Sequence, residues 1–271
     1  MNDEFSIKKK AVLIGYGNLA FHLGSRLRKK GYSIIEIVGK NASNTSEVGL
    51  KNREKLAEEW KASICTDLKK ITKEADIYFI CTGDNAILEI CEKLKLAGKL
   101  VIHCSGSVAI NPLKKISSLC GVLYPLQTFS MKRKLKWKEI PLFLEANNKK
   151  AEYELNQLAN ALSKKITWMK SVERKKLHLA AVISSNFNNH LLLLTKKYLN
   201  NETAFQSLFP LLQETFLKAE KLGPENAQTG PAIRQDEKTI AAHLKELKTN
   251  SELKALYTFF TQSIKEHHRI K

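Results

Sequence analysis

Lys10-Ala11-Val12-Leu13-Ile14-Gly15-Tyr16-Gly17-Asn18-Leu19-Ala20 is the stretch that decides the fold of this chain. Its apolar run, Ala11 to Ile14, predicts a buried strand of the parallel kind, because such strands are covered on both faces. A helical pattern follows from Leu19 to Lys30 and stops at Gly31, a common helix end. The stretch therefore predicts a strand, a tight turn and a helix, which together open a nucleotide-binding fold.

The turn has the form G-x-G-x-x-A. Gly15 allows the tight turn, Gly17 lets the backbone approach a pyrophosphate, and Ala20 lets the helix pack closely on the strand. The free amide groups at the start of the helix also favour an anion. We therefore predict that the turn binds a dinucleotide. The candidate cofactor-binding residues in it are Gly15, Tyr16, Gly17, Asn18, Leu19 and Ala20.

The end of the second predicted strand, Ser33 to Val38, indicates which dinucleotide is bound. An NAD enzyme usually has an acidic residue there that holds the 2′-hydroxyl of the ribose. This chain continues instead with Gly39-Lys40-Asn41-Ala42-Ser43, and Glu36 lies inside the strand. A cation with small polar donors suits a 2′-phosphate, so we predict NADP rather than NAD, with Lys40 as a ligand. The alternative is that Lys40 is only a surface lysine in a loop.

Strands and helices continue to alternate up to about residue 130, which predicts an α/β fold with a doubly wound parallel sheet. Ligands of such sheets bind at the C-terminal ends of the strands. Thr82 and Gly83 follow the strand at 76–81, and His103 and Ser105 stand at the end of the strand at 99–104. These four residues are therefore further candidate cofactor contacts.

Three residues at these strand ends have competing interpretations. Asp84 could border the nucleotide, but an N-cap of the next helix is favoured. His103 could be a general acid or a polar contact, but a satisfied, half-buried structural histidine is favoured. A hydrolase is disfavoured, because no G-x-S-x-G elbow surrounds Ser105.

The regular alternation of predicted strands and helices ends at about residue 130. We predict a dinucleotide-binding domain over 1–130, a connection over 131–170 that extends the sheet, and a helical domain over 171–271. The helical domain begins with one long helix, Val172 to Asn200, in which apolar residues recur at three- and four-residue spacing. This order predicts that a small substrate is held against the cofactor in a cleft between the domains.

Composition disfavours several other classes of protein. The sequence contains no apolar run of about 18 residues, so it predicts no transmembrane helix. No signal peptide is recognisable, so we expect a cytoplasmic protein. The five cysteines are scattered and form no Cys-x-x-Cys pair, which favours buried thiols over a disulfide framework or a metal site. The formal net charge of +18 comes from lysines spread along the whole chain, so nucleic-acid binding is not favoured.

The sequence resembles the bacterial Rossmann-like oxidoreductases whose C-terminal part is the domain of unknown function 2520. The motifs that carry the resemblance span nearly the whole chain. They are the glycine turn, His103-Cys104-Ser105-Gly106, Tyr124-Pro125-Leu126-Gln127-Thr128-Phe129, His178-Leu179-Ala180-Ala181-Val182 with Ser185-Asn186-Phe187, and Thr229-Gly230-Pro231-Ala232-Ile233-Arg234-Gln235-Asp236 with Thr239 and His243. The chain departs from the family at Gln235, where glycine is usual, and at Tyr124, where histidine is frequent.

That family is similar to pyrroline-5-carboxylate reductases, ketopantoate reductases and other relatives of the β-hydroxyacid and 6-phosphogluconate dehydrogenases. The resemblance implies NADP-linked reduction. It also implies an all-α C-terminal domain of the 6-phosphogluconate dehydrogenase type, through which two copies of the chain form a homodimer.

Three residues of the helical half are candidate catalytic groups. His178 is a candidate proton donor to a reduced carbonyl or imine. Asn186 shares a helix face with Asn189 and could bind a substrate carbonyl, the nicotinamide carboxamide or a neighbouring backbone group. Arg234 could clamp a carboxylate, or it could pair with Asp236, which could itself cap a helix. Thr239 and His243 could simply pack against the long helix.

Three hypotheses of function follow. In the first, an NADP-dependent oxidoreductase transfers hydride to or from a small, carboxylated carbonyl or imine substrate. In the second, the chain is a non-catalytic NADP-binding sensor or partner-binding protein, because fold alone does not determine function. The third, a nucleic-acid binder, depends on the net charge alone.

Overall fold

The computed structural model describes residues 9–39 and 47–268. The chain divides into two compact units, of which the first ends at Ile183 and the second begins at Ser184. Residues 131–170 contribute two strands to the sheet of the first unit, as predicted for a sheet extension. The three-part domain division itself stays a prediction.

The first unit is built on an eight-stranded sheet with the order β3-β2-β1-β4-β5-β6-β7-β8. Neighbouring strands are parallel except β6 and β7, which run antiparallel. The strands are β1 (Lys10–Ile14), β2 (Ser33–Val38), β3 (Ser63–Cys65), β4 (Ile77–Ile80), β5 (Leu100–His103), β6 (Leu119–Pro125), β7 (Leu142–Ala146) and β8 (Ile166–Trp168). The predicted doubly wound fold is confirmed, and its strand order reverses between β1 and β4.

Among the described residues, four helices lie between strands of this unit, and a fifth follows the last strand. They are α1 (Asn18–Arg28), α2 (Glu47–Trp60), α3 (Asp84–Lys93), α4 (Lys149–Leu162) and α5 (Ser171–Ala181). Short 3-10 helices lie at Leu68–Lys70, Asn111–Lys115 and Trp137–Glu139. Successive residues of β1 belong to different hydrophobic clusters, Ala11 and Leu13 to one, Val12 and Ile14 to the other. Because successive side chains of a strand point to opposite faces, both faces of the sheet are covered.

The second unit is helical. Its helices are α6 (Asn188–Leu199), α7 (Glu202–Gln206), α8 (Leu208–Leu222), α9 (Pro224–Ala227), α10 (Glu237–Glu246) and α11 (Ser251–His267), with a 3-10 turn at Leu247–Thr249. Neither α8 nor α11 has a buried residue in its described part. Large apolar side chains of both helices, including Leu211, Phe216 and Phe259, are exposed.

A long helical segment is present where one helix is predicted from Val172 to Asn200, and it ends at Leu199, but it is not α-helical throughout. The segment consists of α5, a π-helix at Val182–Phe187, and α6. A π-helix accommodates an extra residue in a helical turn without leaving the helix, so three- and four-residue apolar spacing does not reveal it. Such turns are rare and occur frequently at functional sites.

All five cysteines lie in the interior. Cys81 and Cys104, at the ends of β4 and β5, have their sulfur atoms 3.9 Å apart. The hydrogen bond to Cys81, together with burial, raises the pKa of the Cys104 thiol well above its usual range. Burial raises the pKa of Cys91 and of Cys120 to about 11. Among the helices that the structure describes, none combines the length and the apolar character needed to cross a membrane.

Candidate functional site

The glycine turn between β1 and α1 is tight and open to the outside. Gly15 has φ +112°, and its amide donates a hydrogen bond to the Val38 carbonyl oxygen at 2.8 Å. A Cβ atom on Gly15 would lie 2.6 Å from the Cys81 carbonyl oxygen, so a side chain does not fit there. Gly17 stands at the N-cap of α1, and a Cβ atom on it would have no other atom within 4 Å. The space above Gly17 is therefore free for a ligand.

A cavity of about 820 Å³ opens beside this turn, at the C-terminal ends of β1 to β4. Its volume lies within the range of cavities that bind small molecules and cofactors. The residues that line it are 14–17, 38–39, 66–69 and 81–83, together with Ala86, Glu89, Ile90 and Lys93 of α3. The predicted contacts Gly15, Tyr16, Gly17, Thr82 and Gly83 are thus brought together. Lys69 follows β3, so the rule that ligands bind at strand ends could have singled it out from the sequence.

The hydroxyl of Thr82 lacks a partner in this cavity wall. Its oxygen is buried and has no hydrogen bond within the described part of the chain. The methyl group of Thr82 would lie 3.2 Å from a Cβ on Gly15, which places Thr82 directly beside the glycine turn. Buried hydroxyl groups in folded proteins generally have a partner. A ribose hydroxyl or a phosphate oxygen would supply one, so the residues present fit a dinucleotide.

The aromatic ring of Tyr16 lies against Gly39 at the end of β2. A Cβ atom on Gly39 would be 2.1 Å from a carbon of that ring. The guanidinium carbon of Arg53, on α2, lies 5.7 Å from the centre of the same ring. This cation beside the C-terminal end of β2 is not among the cofactor contacts predicted from the sequence. Lys40, the predicted ligand of the 2′-phosphate, lies outside the described residues.

Three residues of the predicted turn have structural contacts instead of lining the cavity. The side-chain oxygen of Asn18 accepts a hydrogen bond from the Met131 amide at 3.2 Å. Ala20 is fully buried in the core, and Leu19 packs against it. Ala20 therefore has the packing role that its small size predicts, whereas contacts of these three residues with a cofactor stay predictions.

His103 has the environment of a structural histidine. It is fully buried at the end of β5. Its Nδ1 accepts a hydrogen bond from the Ser105 amide at 3.2 Å, and its Nε2 lies 3.3 Å from the Ala109 carbonyl oxygen. Burial, assisted by the nearby charge of Arg174, lowers the pKa of His103 to about 4. Both ring nitrogens are thus engaged by protein groups, and a contact of the His103 side chain with a cofactor is not supported.

The favoured prediction for Asp84, an N-cap, is wrong. The N-cap of α3 is Gly83, and Asp84 is the first residue of the helix. Its carboxylate accepts hydrogen bonds from the hydroxyl of Ser105, at 2.7 Å, and from that of Ser107. The Ser105 oxygen also accepts from the backbone amides of Ser107 and Val108. Ser105, predicted as a cofactor contact, therefore ties the end of β5 to the start of α3, and its side chain is occupied by these bonds.

His178 is paired with Tyr124 above Gly106. The Tyr124 hydroxyl lies 3.0 Å from Nδ1 of His178, and the two rings are edge-on at 5.7 Å between centres. A Cβ atom on Gly106 would lie 2.7 Å from the His178 ring and 2.8 Å from the Tyr124 ring. Tyr124 belongs to β6, and Gly106 follows β5. The pair thus stands at the same C-terminal edge of the sheet as the glycine turn.

A buried ion pair anchors the helix that carries His178. Arg174 is fully buried, and its guanidinium contacts the Glu145 carboxylate of β7. It also donates a hydrogen bond to the Val108 carbonyl oxygen at 2.7 Å, while the Ser171 hydroxyl donates to Glu145 at 2.6 Å. Arg174 precedes His178 by one helical turn, so this network fixes the helix directly before His178.

The other two candidate catalytic residues belong to the second unit. Asn186 lies in the π-helix, and its side chain is exposed. Arg234 is also exposed. It forms no close ion pair with Asp236, but its charge contributes to the lowered pKa of that carboxyl. Asp236 caps α10 by accepting hydrogen bonds from the Thr239 amide at 3.0 Å and the Thr239 hydroxyl at 2.7 Å. These bonds lower the pKa of Asp236. The capping alternative for Asp236 is therefore confirmed.

Thr239 and His243 each make a specific contact, and their packing against the long helix stays a prediction. Thr239 bonds to Asp236, and Nδ1 of His243 lies 2.9 Å from the Tyr257 hydroxyl of α11. Gln235 has a left-handed backbone, with φ +55°. This conformation explains why glycine suits the same position in the family that the sequence resembles.

Two family models match the chain. One, described as NADP oxidoreductase, coenzyme F420-dependent, matches residues 10–106. The other, described as a domain of unknown function (DUF2520), matches residues 140–264. None of the curated proteins matches the sequence.

Solved structures are similar over nearly the whole chain. A proposed NADP oxidoreductase from Bacteroides fragilis is 35% identical, covers 96% of this chain and 98% of its own, and has a TM-score of 0.84. An imine reductase from Myxococcus stipitatus in complex with NADP⁺ is 14% identical, with 95% and 93% covered and a TM-score of 0.61. A 1-pyrroline-5-carboxylate reductase from Streptococcus pyogenes is 13% identical, with 96% and 98% covered and a TM-score of 0.57. The last two likenesses concern the fold alone.

Proposed function

This chain belongs to the family of Rossmann-fold NADP oxidoreductases with a C-terminal DUF2520 domain, and on that premise we propose that it reduces a small, carboxylated carbonyl or imine compound. NADP is the cofactor of this family. When bound, NADPH supplies the hydride that the substrate carbon receives. The observation that carries the proposal is the His178–Tyr124 pair, which shares one sheet edge with the glycine turn.

The residues of the first unit bind and orient the cofactor. Gly15 and Gly17 leave room for the pyrophosphate beside the N-terminus of α1. Thr82 offers a buried hydroxyl that needs a partner. Lys40 and Arg53 are the cations that we propose for the 2′-phosphate.

His178 supplies the proton in this proposal. The substrate carbon gains a hydride, and its oxygen or nitrogen gains one proton. The protonated imidazole releases that proton from Nε2 and is left as a neutral ring. In the described part of the chain, Nε2 of His178 has no hydrogen-bond partner, so it is free to meet a substrate.

Arg234 and Asn186 are proposed to bind the substrate. The planar guanidinium of Arg234 can bind a carboxylate through two parallel hydrogen bonds. Asn186 can donate to a carbonyl oxygen from its amide, and its position in a π-helix favours a functional role. The location of the substrate in a cleft between the two parts of the chain stays a prediction from the sequence.

The test begins with binding. NADPH and NADH are titrated separately against intrinsic tryptophan fluorescence, and a panel of 2-oxo acids, cyclic imino acids and aldehydes is then screened for loss of NADPH absorbance. We expect NADPH to bind more tightly and an acid of the panel to be reduced. The His178→Gln variant should lose about 10²- to 10⁴-fold in kcat, and Arg234→Ala should raise the KM of the acid but not that of NADPH. NADPH binding without any turnover would favour the non-catalytic sensor.

Cofactor choice has its own test. We expect Lys40→Asp and Arg53→Gln to weaken NADPH more than NADH, because only NADPH carries the 2′-phosphate. Lys61→Asp serves as the matched control, since Lys61 is an exposed lysine that does not line the cavity. Equal weakening of both cofactors would contradict a role for these cations at the phosphate.

We further propose that two copies of the chain associate through the helical unit. The apolar side chains on α8 and α11 support this, because exposed apolar patches usually mark an interface. Phe216→Glu should convert the dimer to a monomer in light scattering after size-exclusion chromatography. Val48→Glu, which alters an exposed apolar residue of the first unit, is the control. A wild-type chain that is monomeric at all concentrations would refute the proposal.

A further inference from the structure

The hydroxyl of Tyr124 and the ring of His178 form a directional contact between residues far apart in sequence. Tyr124 is only 8% exposed, whereas His178 is partly exposed. The hydroxyl approaches Nδ1 rather than Nε2, at 3.0 Å. Nδ1 of the imidazole is thus directed toward Tyr124, whereas Nε2 has no hydrogen-bond partner among the described residues.

The direction of this hydrogen bond follows from what surrounds the phenol. Within the described residues, His178 is the hydrogen-bond partner of the Tyr124 oxygen. A buried hydroxyl whose hydrogen has no acceptor is costly, so the Tyr124 O–H donates to Nδ1 of the neutral ring. Burial raises the pKa of Tyr124, which keeps the phenol protonated. The neutral imidazole then carries its own hydrogen on Nε2.

We propose that Tyr124 is the positioning residue that holds His178 through Nδ1 and thereby makes Nε2 the nitrogen that exchanges a proton with the substrate. This inference rests on the proposed role of His178 as proton donor. A hydroxyl can donate to Nδ1 of the neutral ring and accept from Nδ1–H of the protonated ring. Tyr124 therefore stays bonded to His178 in both charge states, and the orientation of the ring is kept while the proton leaves from Nε2.

Gly106 is part of the same arrangement. The His178 and Tyr124 rings occupy the space where a side chain at position 106 would begin. Because Gly106 has no Cβ, both rings can pack directly against the backbone of the turn after β5. The backbone of Gly106 and the Tyr124 side chain together restrict the orientation of the His178 ring.

The experiment is nuclear magnetic resonance on protein with ¹⁵N-labelled histidine, compared between wild type, Tyr124→Phe and the control Tyr153→Phe. The His178 signals are those missing from His178→Gln. We expect the neutral wild-type ring to carry hydrogen on Nε2, the Tyr124→Phe ring to become a mixture of tautomers, and Tyr153→Phe to match wild type, because Tyr153 is exposed on α4. Hydrogen on Nδ1 in the wild type, or an unchanged tautomer in Tyr124→Phe, would overturn the proposal.

Kinetics supply the second readout. Tyr124→Phe should lower kcat at least about tenfold, with the KM of NADPH changed less than twofold, because the cofactor cavity is untouched. An unchanged kcat in Tyr124→Phe would overturn the positioning role. If no substrate is reduced by the wild type, the proposed function fails, while the tautomer of His178 still decides whether Tyr124 directs the ring.

Discussion

Gly15 and Cys81 approach so closely that a Cβ atom on Gly15 would stand 2.6 Å from the Cys81 carbonyl oxygen. Gly15 also has φ +112°, a conformation that residues with side chains rarely adopt. Two residues later, a Cβ atom on Gly17 would meet nothing within 4 Å, and φ is −76°. The two glycines of the turn are therefore required for different reasons, the first by the fold and the second by the ligand.

The same substitution at these two glycines should weaken NADPH binding in both cases but lower the stability only at Gly15. Gly15→Ala should lower the free energy of unfolding by more than about 1 kcal/mol and weaken NADPH binding. Gly17→Ala should leave the unfolding transition nearly unchanged but weaken NADPH at least tenfold, because the methyl group occupies the space above the turn. Urea denaturation and fluorescence titration measure the two effects. A Gly17→Ala protein with wild-type affinity would mean that no ligand approaches this backbone closely.

The buried His103 predicts that stability falls in mild acid. Its pKa in the folded protein is lowered to about 4 from an ordinary value of 6.5, so the unfolded chain binds more protons between these values. The stability contribution is complete above pH 6.5 and is lost as the pH falls towards 4. Between pH 7 and pH 5, His103 should account for a loss of about 2 kcal/mol.

Urea denaturation of wild type, His103→Gln and His267→Gln at the two pH values tests this expectation. His103→Gln should show a smaller drop than wild type, since the titrating group is gone. His267 is exposed, so its variant should behave like wild type. An identical drop in all three proteins would show that another group causes the acid sensitivity.

The buried pair of Arg174 and Glu145 predicts a strong dependence of stability on both partners. Arg174→Met should lower the free energy of unfolding by about 3–5 kcal/mol, because Glu145 is left as a partly buried, uncompensated charge. The double variant Arg174→Met with Glu145→Leu should be less destabilised than Arg174→Met alone. Thermal unfolding of the single and double variants measures the difference. If the destabilisation of the double variant equals the sum of the destabilisations of Arg174→Met and Glu145→Leu, the two charges are not coupled.

Gln235 offers a route to a more stable protein. Its φ of +55° lies in the left-handed region, which costs a residue with a side chain about 1 kcal/mol relative to glycine. Gln235→Gly should therefore raise the melting temperature of the unfolding transition that involves the helical unit. Gln228→Gly is the matched control, because Gln228 has φ −64° and should lose stability. Stabilisation by both substitutions, or by neither, would exclude the backbone explanation.

The sheet could be predicted because its signals are local. The apolar runs of β1 and β4 are each followed by small or polar residues. Such runs indicate parallel strands that are buried on both faces. The antiparallel pairing of β7 with β6 could not be predicted, since the direction of a strand depends on the path of the connection that precedes it. The π-helix was missed because its apolar spacing does not differ visibly from that of an α-helix.

The candidate site was predictable only in part, because most of its contacts join distant segments. The glycine turn is one continuous stretch with a characteristic spacing. By contrast, Tyr124 lies on β6 and His178 on α5. The sequence around either residue does not indicate that the two are in contact. The position of Asp84 before a helix predicts a cap, whereas its hydrogen-bond partners, Ser105 and Ser107, follow a different strand. Pairings of this kind emerge only when the fold brings two strand ends together.

The burial of all five cysteines makes this chain convenient for fluorescent labelling. Thiolates are the species that react with maleimides, and burial together with raised pKa values suppresses them. A thiol introduced on the surface would therefore be the preferred point of attachment in the native protein. Lys69→Cys would place a dye at the mouth of the cavity, where cofactor arrival could be followed without removing any native cysteine.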